Sequence, residues 1–410
     1  MKMPALLFVG LATVLAVASV FAAGALGAPD KSAPAPRTAS PPSSPAMPAS
    51  AWQWRLPPEI PEPWVPADNP MSEEKFQLGR RLFYDKRLSG NASLACASCH
   101  LQKLAFTDGR AVSPGITGER GLRSAQSIAN AAYHPTITWA NVTLNTLERQ
   151  VPVPLMGENP VEMGVNDNNA KTVIARIAKD PDYQRRFARA FPNYDKPANL
   201  DNIVNAIASF ERGVLSFNAK YDQVNRGQAS YTAAEKRGHQ LFFSEQAQCS
   251  QCHSGFNFTE MTLQAKPAVW NPVYRNTGLY NVDDKGAYTN DNQGLIGVSG
   301  KAEDMGKFRV ASLRNIEVTA PYMHDGSIAT LAQVVAFYAA GGRNITSGPH
   351  KGDGRKNPFK DARLDKIKLS GPEQADLIAF LKTLTDREFL SNPRFSDPFK
   401  TPQPAITPKI

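Results

Sequence analysis

Two pentapeptides constrain this chain more than anything else in it: "CASCH" at 96–100 and "CSQCH" at 249–253. Together they take all four cysteines and two of the six histidines. Disulfides do not explain the pattern. A bridge closed inside Cys-x-x-Cys is strained and redox-labile, and it gives no task to a histidine directly behind the second cysteine. Zinc fares no better, because two Cys-x-x-Cys pairs satisfy a tetrahedral ion and leave both histidines over. Haem accounts for every residue. Two thiols add to the porphyrin vinyl groups, and the adjacent imidazole ligates the iron. The expectation is two covalent haem c groups, one on Cys96, Cys99 and His100, the other on Cys249, Cys252 and His253.

The pentapeptides sit inside a longer repeat. "EKFQLGRRLFYD" (74–85) precedes the first and "EKRGHQLFFS" (235–244) the second, each with a glycine ahead of an apolar-aromatic pair. Downstream, "SIAN" (127–130) answers "SLRN" (312–315). The expected fold is mainly α, two cytochrome c-like haem domains related by an internal repeat. The first spans 71–230 and the second 231–395, with a tail at 396–410. "SGPEQADLIAFLKTLTD" closes the second domain as an amphipathic helix. Ser370 and Glu373 form its capping box, and Leu377, Phe380, Leu381 and Leu384 share one face.

The N-terminus reads as an export signal over 1–28: Lys2, an apolar run from Ala5 to Ala22, then small residues through Ala28. That places the mature protein in a periplasm, although the run is also long enough to stay as an anchor. Residues 29–70 are a Pro/Ala/Ser-rich linker and a lead-in. No later span is apolar enough for a membrane crossing, so none is expected in the mature chain. The formal charge is +9, yet the Lys and Arg are scattered, which argues against a nucleic-acid partner. Hydrophobic residues at 42% and charged residues at 20% fit a globular chain rather than a disordered one.

With "NPVEMG" (159–164) and "APYMHDGSIATLAQVVAFY" (320–338), the haem motifs, in this order and spacing, resemble the bacterial di-haem cytochrome c peroxidases and their relative MauG. The resemblance covers roughly residues 70 to 390. It implies that the N-terminal haem meets hydrogen peroxide and the C-terminal haem handles electrons. The stretch "LERQVPVPLMGENPVEMG" (147–164) resembles the segment covering the open face of the first iron, and Gln150, Pro154 and Glu162 match that segment's functional residues. The spacing from proline to glutamate is slightly longer here, which leaves Glu158 as a rival to Glu162. A carboxyl there suits the chemistry, since breaking the O–O bond moves a proton from one peroxide oxygen to the other. The loop at 101–126 holds no His, Met, Cys or Tyr. The peroxidases block this iron with a His from that loop until reduction releases it, so the resemblance implies a first iron that is five-coordinate here and ready for peroxide without prior reduction.

At the second haem, His253 is the expected proximal ligand. The helix "TLAQVVAFYAAGG" opens on a capping box, Thr330 to Gln333, and sets Leu331, Val334, Val335 and Tyr338 on one face. A tyrosine on such a stripe is ordinarily core. In the peroxidases, however, this helix presents a ligating Met fourteen residues after the "HDG" histidine. Tyr338 stands at that position here, as in MauG. A phenolate favours higher iron oxidation states and a low potential. Met323 and His324 are the rival ligands, although the family places their loop between the haems. By the same resemblance Trp139 lies between the porphyrins as an electron relay. Thr319, Pro321 and Ser124 match the Ca²⁺ ligands, with Ser124 standing where the family has an Asn. Ala247 occupies the position of a surface Trp in MauG, so oxidation must leave by another path.

The function implied is an exported enzyme that uses peroxide to build a high-valent iron pair and oxidises a docked protein, at Trp or Tyr side chains, by long-range electron transfer. One alternative is a peroxidase drawing electrons from a small cytochrome or copper protein; another is a di-haem electron carrier without chemistry of its own. The lead-in "AWQWRLPPEIPEPW" (51–64) and the region 138–164 resemble the MbnH subgroup, a member of which oxidises a tryptophan on a copper-binding partner.

Overall fold

The computed structural model describes residues 52–263 and 272–400. The signal peptide, most of the linker and the last ten residues of the tail lie outside the described residues. The fold is mainly α. Helices of nine residues or more are α1 (Glu73–Tyr84), α2 (Ala170–Ala178), α3 (Pro181–Ala190), α4 (Leu200–Arg212), α5 (Ala233–Phe242), α6 (Leu331–Ala339) and α7 (Gly371–Lys382). Two short antiparallel pairs join them: β1 (Tyr274–Arg275) with β2 (Phe308–Arg309), and β3 (Asn344–Ile345) with β4 (Gly352–Asp353). Among the described residues no helix is long and apolar enough to cross a membrane.

Two helix pairs form the frame. α1 starts where the Ser72 hydroxyl accepts from the Lys75 amide, with Glu73 and Glu74 favouring the positive end of the helix dipole. It crosses α4 at Gly79, where an added Cβ would lie 1.8 Å from the Ala206 carbonyl oxygen and 3.0 Å from the Phe210 Cβ. α5 starts on a Thr232–Glu235 capping box and crosses α7 at Gly238. A Cβ there would lie 1.9 Å from the Asp376 oxygen and 2.8 Å from the Phe380 Cβ. Each glycine lets two helix backbones touch. The aromatic residue four positions after it then packs at a tilt against the partner helix: Phe83 lies 5.0 Å from Phe210, and Phe242 lies 5.2 Å from Phe380.

One core gathers Phe76, Phe83, Phe106, Phe187 and Phe210. A second gathers Phe242, Phe258, Tyr288, Val335 and Phe380. Phe389 and Phe395 follow α7 in the chain yet pack in the first core. Arg394 meets Glu73 at 2.7 Å, and the Tyr84 hydroxyl donates to the Phe395 carbonyl. The chain thus returns to the first core ahead of the boundary expected at 395. The lead-in is packed as well. Trp52 sits 5.4 Å from Phe76, and the Tyr133 hydroxyl donates to the Pro61 carbonyl at 2.6 Å.

Candidate haem-binding site

The same local structure recurs at both pentapeptides. His100 Nδ1 lies 2.7 Å from the Phe106 carbonyl oxygen, and His253 Nδ1 lies 3.2 Å from that of Phe258. Both phenylalanines hold positive φ, 64° and 50°, which is costly for a bulky residue and turns each carbonyl toward its imidazole. Ser127 donates to the Ala105 carbonyl and Ser312 to the Asn257 carbonyl, each at 2.6 Å, bracing the residue before the strained phenylalanine. Asn130 and Asn315, which close "SIAN" and "SLRN", are likewise left-handed.

A carbonyl only accepts, so each Nδ1 must carry the proton and leave the Nε2 lone pair for a metal. Burial lowers the pKa of His100 and of His253, which keeps both rings neutral. All four cysteines are free and half-buried, and burial pushes the Cys249 thiol up to about 12. Paired free thiols beside an imidazole fixed through Nδ1 fit covalent haem at both places.

A cavity of about 260 Å³ opens between the second pentapeptide and α6. Cys249, Cys252 and His253 line it together with Leu331, Val334, Val335 and Tyr338. Burial raises the Tyr338 phenol, and the charges of Cys252 and Cys249 raise it further. The rival ligands Met323 and His324 line this cavity too, and His324 Nε2 is buried without a hydrogen-bond partner. His324 lies flat on Phe308, 3.6 Å between centroids, and its carbonyl accepts the Ser124 amide. Met323 is in a left-handed turn at φ 72°. Tyr338 lies within electrostatic reach of Cys249 and Cys252.

At the first pentapeptide, two short helices, Leu147–Gln150 and Pro152–Met156, carry Gln150 and Pro154, both half-buried. The Pro154 carbonyl accepts the Met163 amide at 2.9 Å, and the Glu162 carbonyl accepts the Ile116 amide at 2.8 Å. Gly115 allows this approach, since a Cβ there would lie 1.8 Å from the Val161 oxygen. Glu162 is half-buried and burial raises its pKa. Its charge acts on both Cys96 and Cys99. Glu158 is exposed, ahead of the cis Asn159–Pro160 peptide. Of the two glutamates, Glu162 is the half-buried one and lies within electrostatic reach of the first pair of thiols.

Trp139 lines the cavity, donates from Nε1 to the Ser124 carbonyl at 2.9 Å, and accepts the Arg309 amide at 2.7 Å. Ala247 is fully buried, so its position offers no surface exit. Thr319, Pro321 and Ser124 share one cavity wall. They offer neutral oxygens only, and the Ser124 carbonyl already serves Trp139. No cluster of three or more His, Cys, Asp or Glu suited to a metal exists among the described residues. Calcium accepts carboxylate and neutral oxygens alike, and Thr319, Pro321 and Ser124 offer only the latter.

Nothing in the amino-acid pattern marks Glu211 as special. It is 6% exposed in α4, its charge acts on Cys96, and burial, reinforced by Glu148, pushes its carboxyl up to about 8. A lone acid beside an arginine in an amphipathic helix looks like a surface residue, and only the packing of α4 buries it.

The family model for di-haem cytochrome c peroxidase matches residues 73–230. Cytochrome-c peroxidase IdrP1 of Denitromonas iodatirespirans is 34% identical, over 88% of this chain and 95% of its own. The methylamine utilization protein MauG of Methylorubrum extorquens is 28% identical, over 81% and 83%. The crystal structure of a MauG-like protein associated with microbial copper homeostasis is 54% identical, superposes with a TM-score of 0.84, and aligns over 85% of this chain and 100% of its own. This chain therefore belongs to the di-haem cytochrome c peroxidase and MauG family of peroxide-dependent oxidoreductases, a family that implies two haem c groups.

Proposed function

We propose that this protein is an exported, peroxide-driven oxidase of another protein, acting on Trp or Tyr side chains of a docked partner by long-range electron transfer. The observation that carries the reading is Tyr338 facing His253, Cys249 and Cys252 across one cavity. A hard oxygen donor suits a site that stores oxidising equivalents, where a thioether suits one that passes electrons inward. When bound, the haems would supply the redox chemistry for a two-electron oxidant such as peroxide.

The chain's own groups do the rest. His100 and His253, each fixed through Nδ1, hold the two cofactors. Glu162, kept protonated to higher pH than an exposed glutamate, delivers and recovers a proton at its carboxyl oxygens, with Gln150 and Pro154 shaping the same wall. Trp139 links the first segment to the cavity of the second. The 54% identical structure concerns copper homeostasis, which favours a partner from copper handling. Export follows from the signal read at 1–28.

A second reading, reduction of peroxide with electrons from a small redox protein, is favoured by the relatives named cytochrome-c peroxidase. Mixing haem-loaded protein with peroxide and a candidate partner protein from copper handling separates the two. A peroxide-dependent mass loss of two hydrogens, or gain of oxygen, on a partner Trp or Tyr supports the proposal. Steady peroxide turnover with reduced cytochrome c and an unmodified partner contradicts it.

A further inference from the structure

Arg212, Arg309 and Arg314 are the most deeply buried arginines among the described residues. Arg212 meets Glu148 at 2.7 Å, and Arg314 meets Asp222 at 2.8 Å. Arg309, only 4% exposed, has no such carboxylate, and the sole ionisable group that raises its pKa is the Tyr274 phenol. Burial lowers it to about 10. Outside the described residues the chain has one acidic residue, Asp30.

The geometry of Arg309 shows where an anion would sit. Its Nη2 bonds the Gln126 side-chain oxygen and its amide bonds the Trp139 carbonyl, while Nε and Nη1 have no partner. His134 is buried as well, feels the Arg309 charge, and has an unpartnered Nε2. Both residues line the cavity that holds Cys249, Cys252 and His253. An unpaired guanidinium in an interior is strongly destabilising unless an anion meets it, and each open N–H edge can donate to one carboxylate oxygen. A porphyrin bonded through its vinyl edge carries two carboxylates on the remaining edge.

We propose that Arg309, assisted by His134, seats a propionate carboxylate of the haem attached through Cys249 and Cys252. This rests on the haem reading of that cavity. Arg309 is then a positioning residue. Through Gln126 and Trp139 it ties the second cofactor to the loop that follows the first pentapeptide.

The test uses the full, haem-loaded protein and the variants Arg309→Gln, Arg309→Lys and Gln126→Glu, the last giving Arg309 a carboxylate from the chain itself. Mass spectrometry first checks that both pentapeptides carry haem. In Arg309→Gln and Gln126→Glu the propionate-bending resonance Raman band of the second haem should shift to lower frequency. Its midpoint potential should fall, because a cation beside the carboxylate favours the reduced state. Arg309→Lys should recover most of both. Unchanged band and potential in Arg309→Gln and Gln126→Glu, with both haems attached, overturn the proposal. So does a wild-type band that moves with added formate or phosphate, which would mark a solvent anion. A wild-type protein without haem on Cys249 and Cys252 would overturn the cavity reading itself. If Arg309→Gln does not fold, Gln126→Glu and Arg309→Lys still decide.

Discussion

Glu158 and Glu162 are four residues apart, and one side chain meets water while the other meets the wall beside Cys96 and Cys99. Glu162→Gln should slow the reaction with peroxide by about 10²-fold, the usual scale for a lost general acid–base group, and leave haem content unchanged. Glu158→Gln should change the rate less than twofold. Stopped-flow mixing with peroxide checks both. Glu211 gives a prediction on stability. Its folded pKa, about 8, lies above the ordinary carboxyl value, so its contribution is intact below that ordinary value and is lost as pH rises toward 8. Glu211→Gln should flatten the fall in stability between about pH 5 and 8 and be more stable than wild type at pH 7, by about 3 kcal/mol at most. Urea titrations across that range measure it.

The helix pairs were the most legible elements. Gly79 and Gly238, each ahead of an apolar-aromatic pair, were visible as a repeat, and the capping boxes at Thr330 and Ser370 mark helix starts. What the glycines do was not legible, because the backbone contacts they permit are made with α4 and α7, far along the chain. Gly79→Ala and Gly238→Ala should each destabilise the protein by about 1–3 kcal/mol, the cost of overpacking, as read by thermal unfolding. Equal stability of either variant would show that its helix pair can part at no cost. The left-handed Phe106 and Phe258 left no local trace either. A phenylalanine there reads as ordinary core, and the need to aim a carbonyl at a histidine exists only once the fold brings them together.

At the scale of the whole molecule, two cores are tied by segments that ignore the order of the repeat. Phe389 and Phe395 leave the second half of the chain for the first core, while Trp139 and Ala140 leave the first half for the second. Sequence periodicity cannot report such exchanges, because each residue is a plausible core residue in either place. The exchange at Trp139 matters for function, since it sets that indole in the wall of the Tyr338 cavity. The arrangement therefore stands or falls with what Tyr338 does. The most direct measurement is the electron paramagnetic resonance and absorption spectrum of the oxidised, haem-loaded protein beside that of Tyr338→Phe. The prediction is one low-spin centre in the wild type that is lost or converted to high spin in the variant, with both haems still attached. An identical low-spin signal in the two proteins would contradict it.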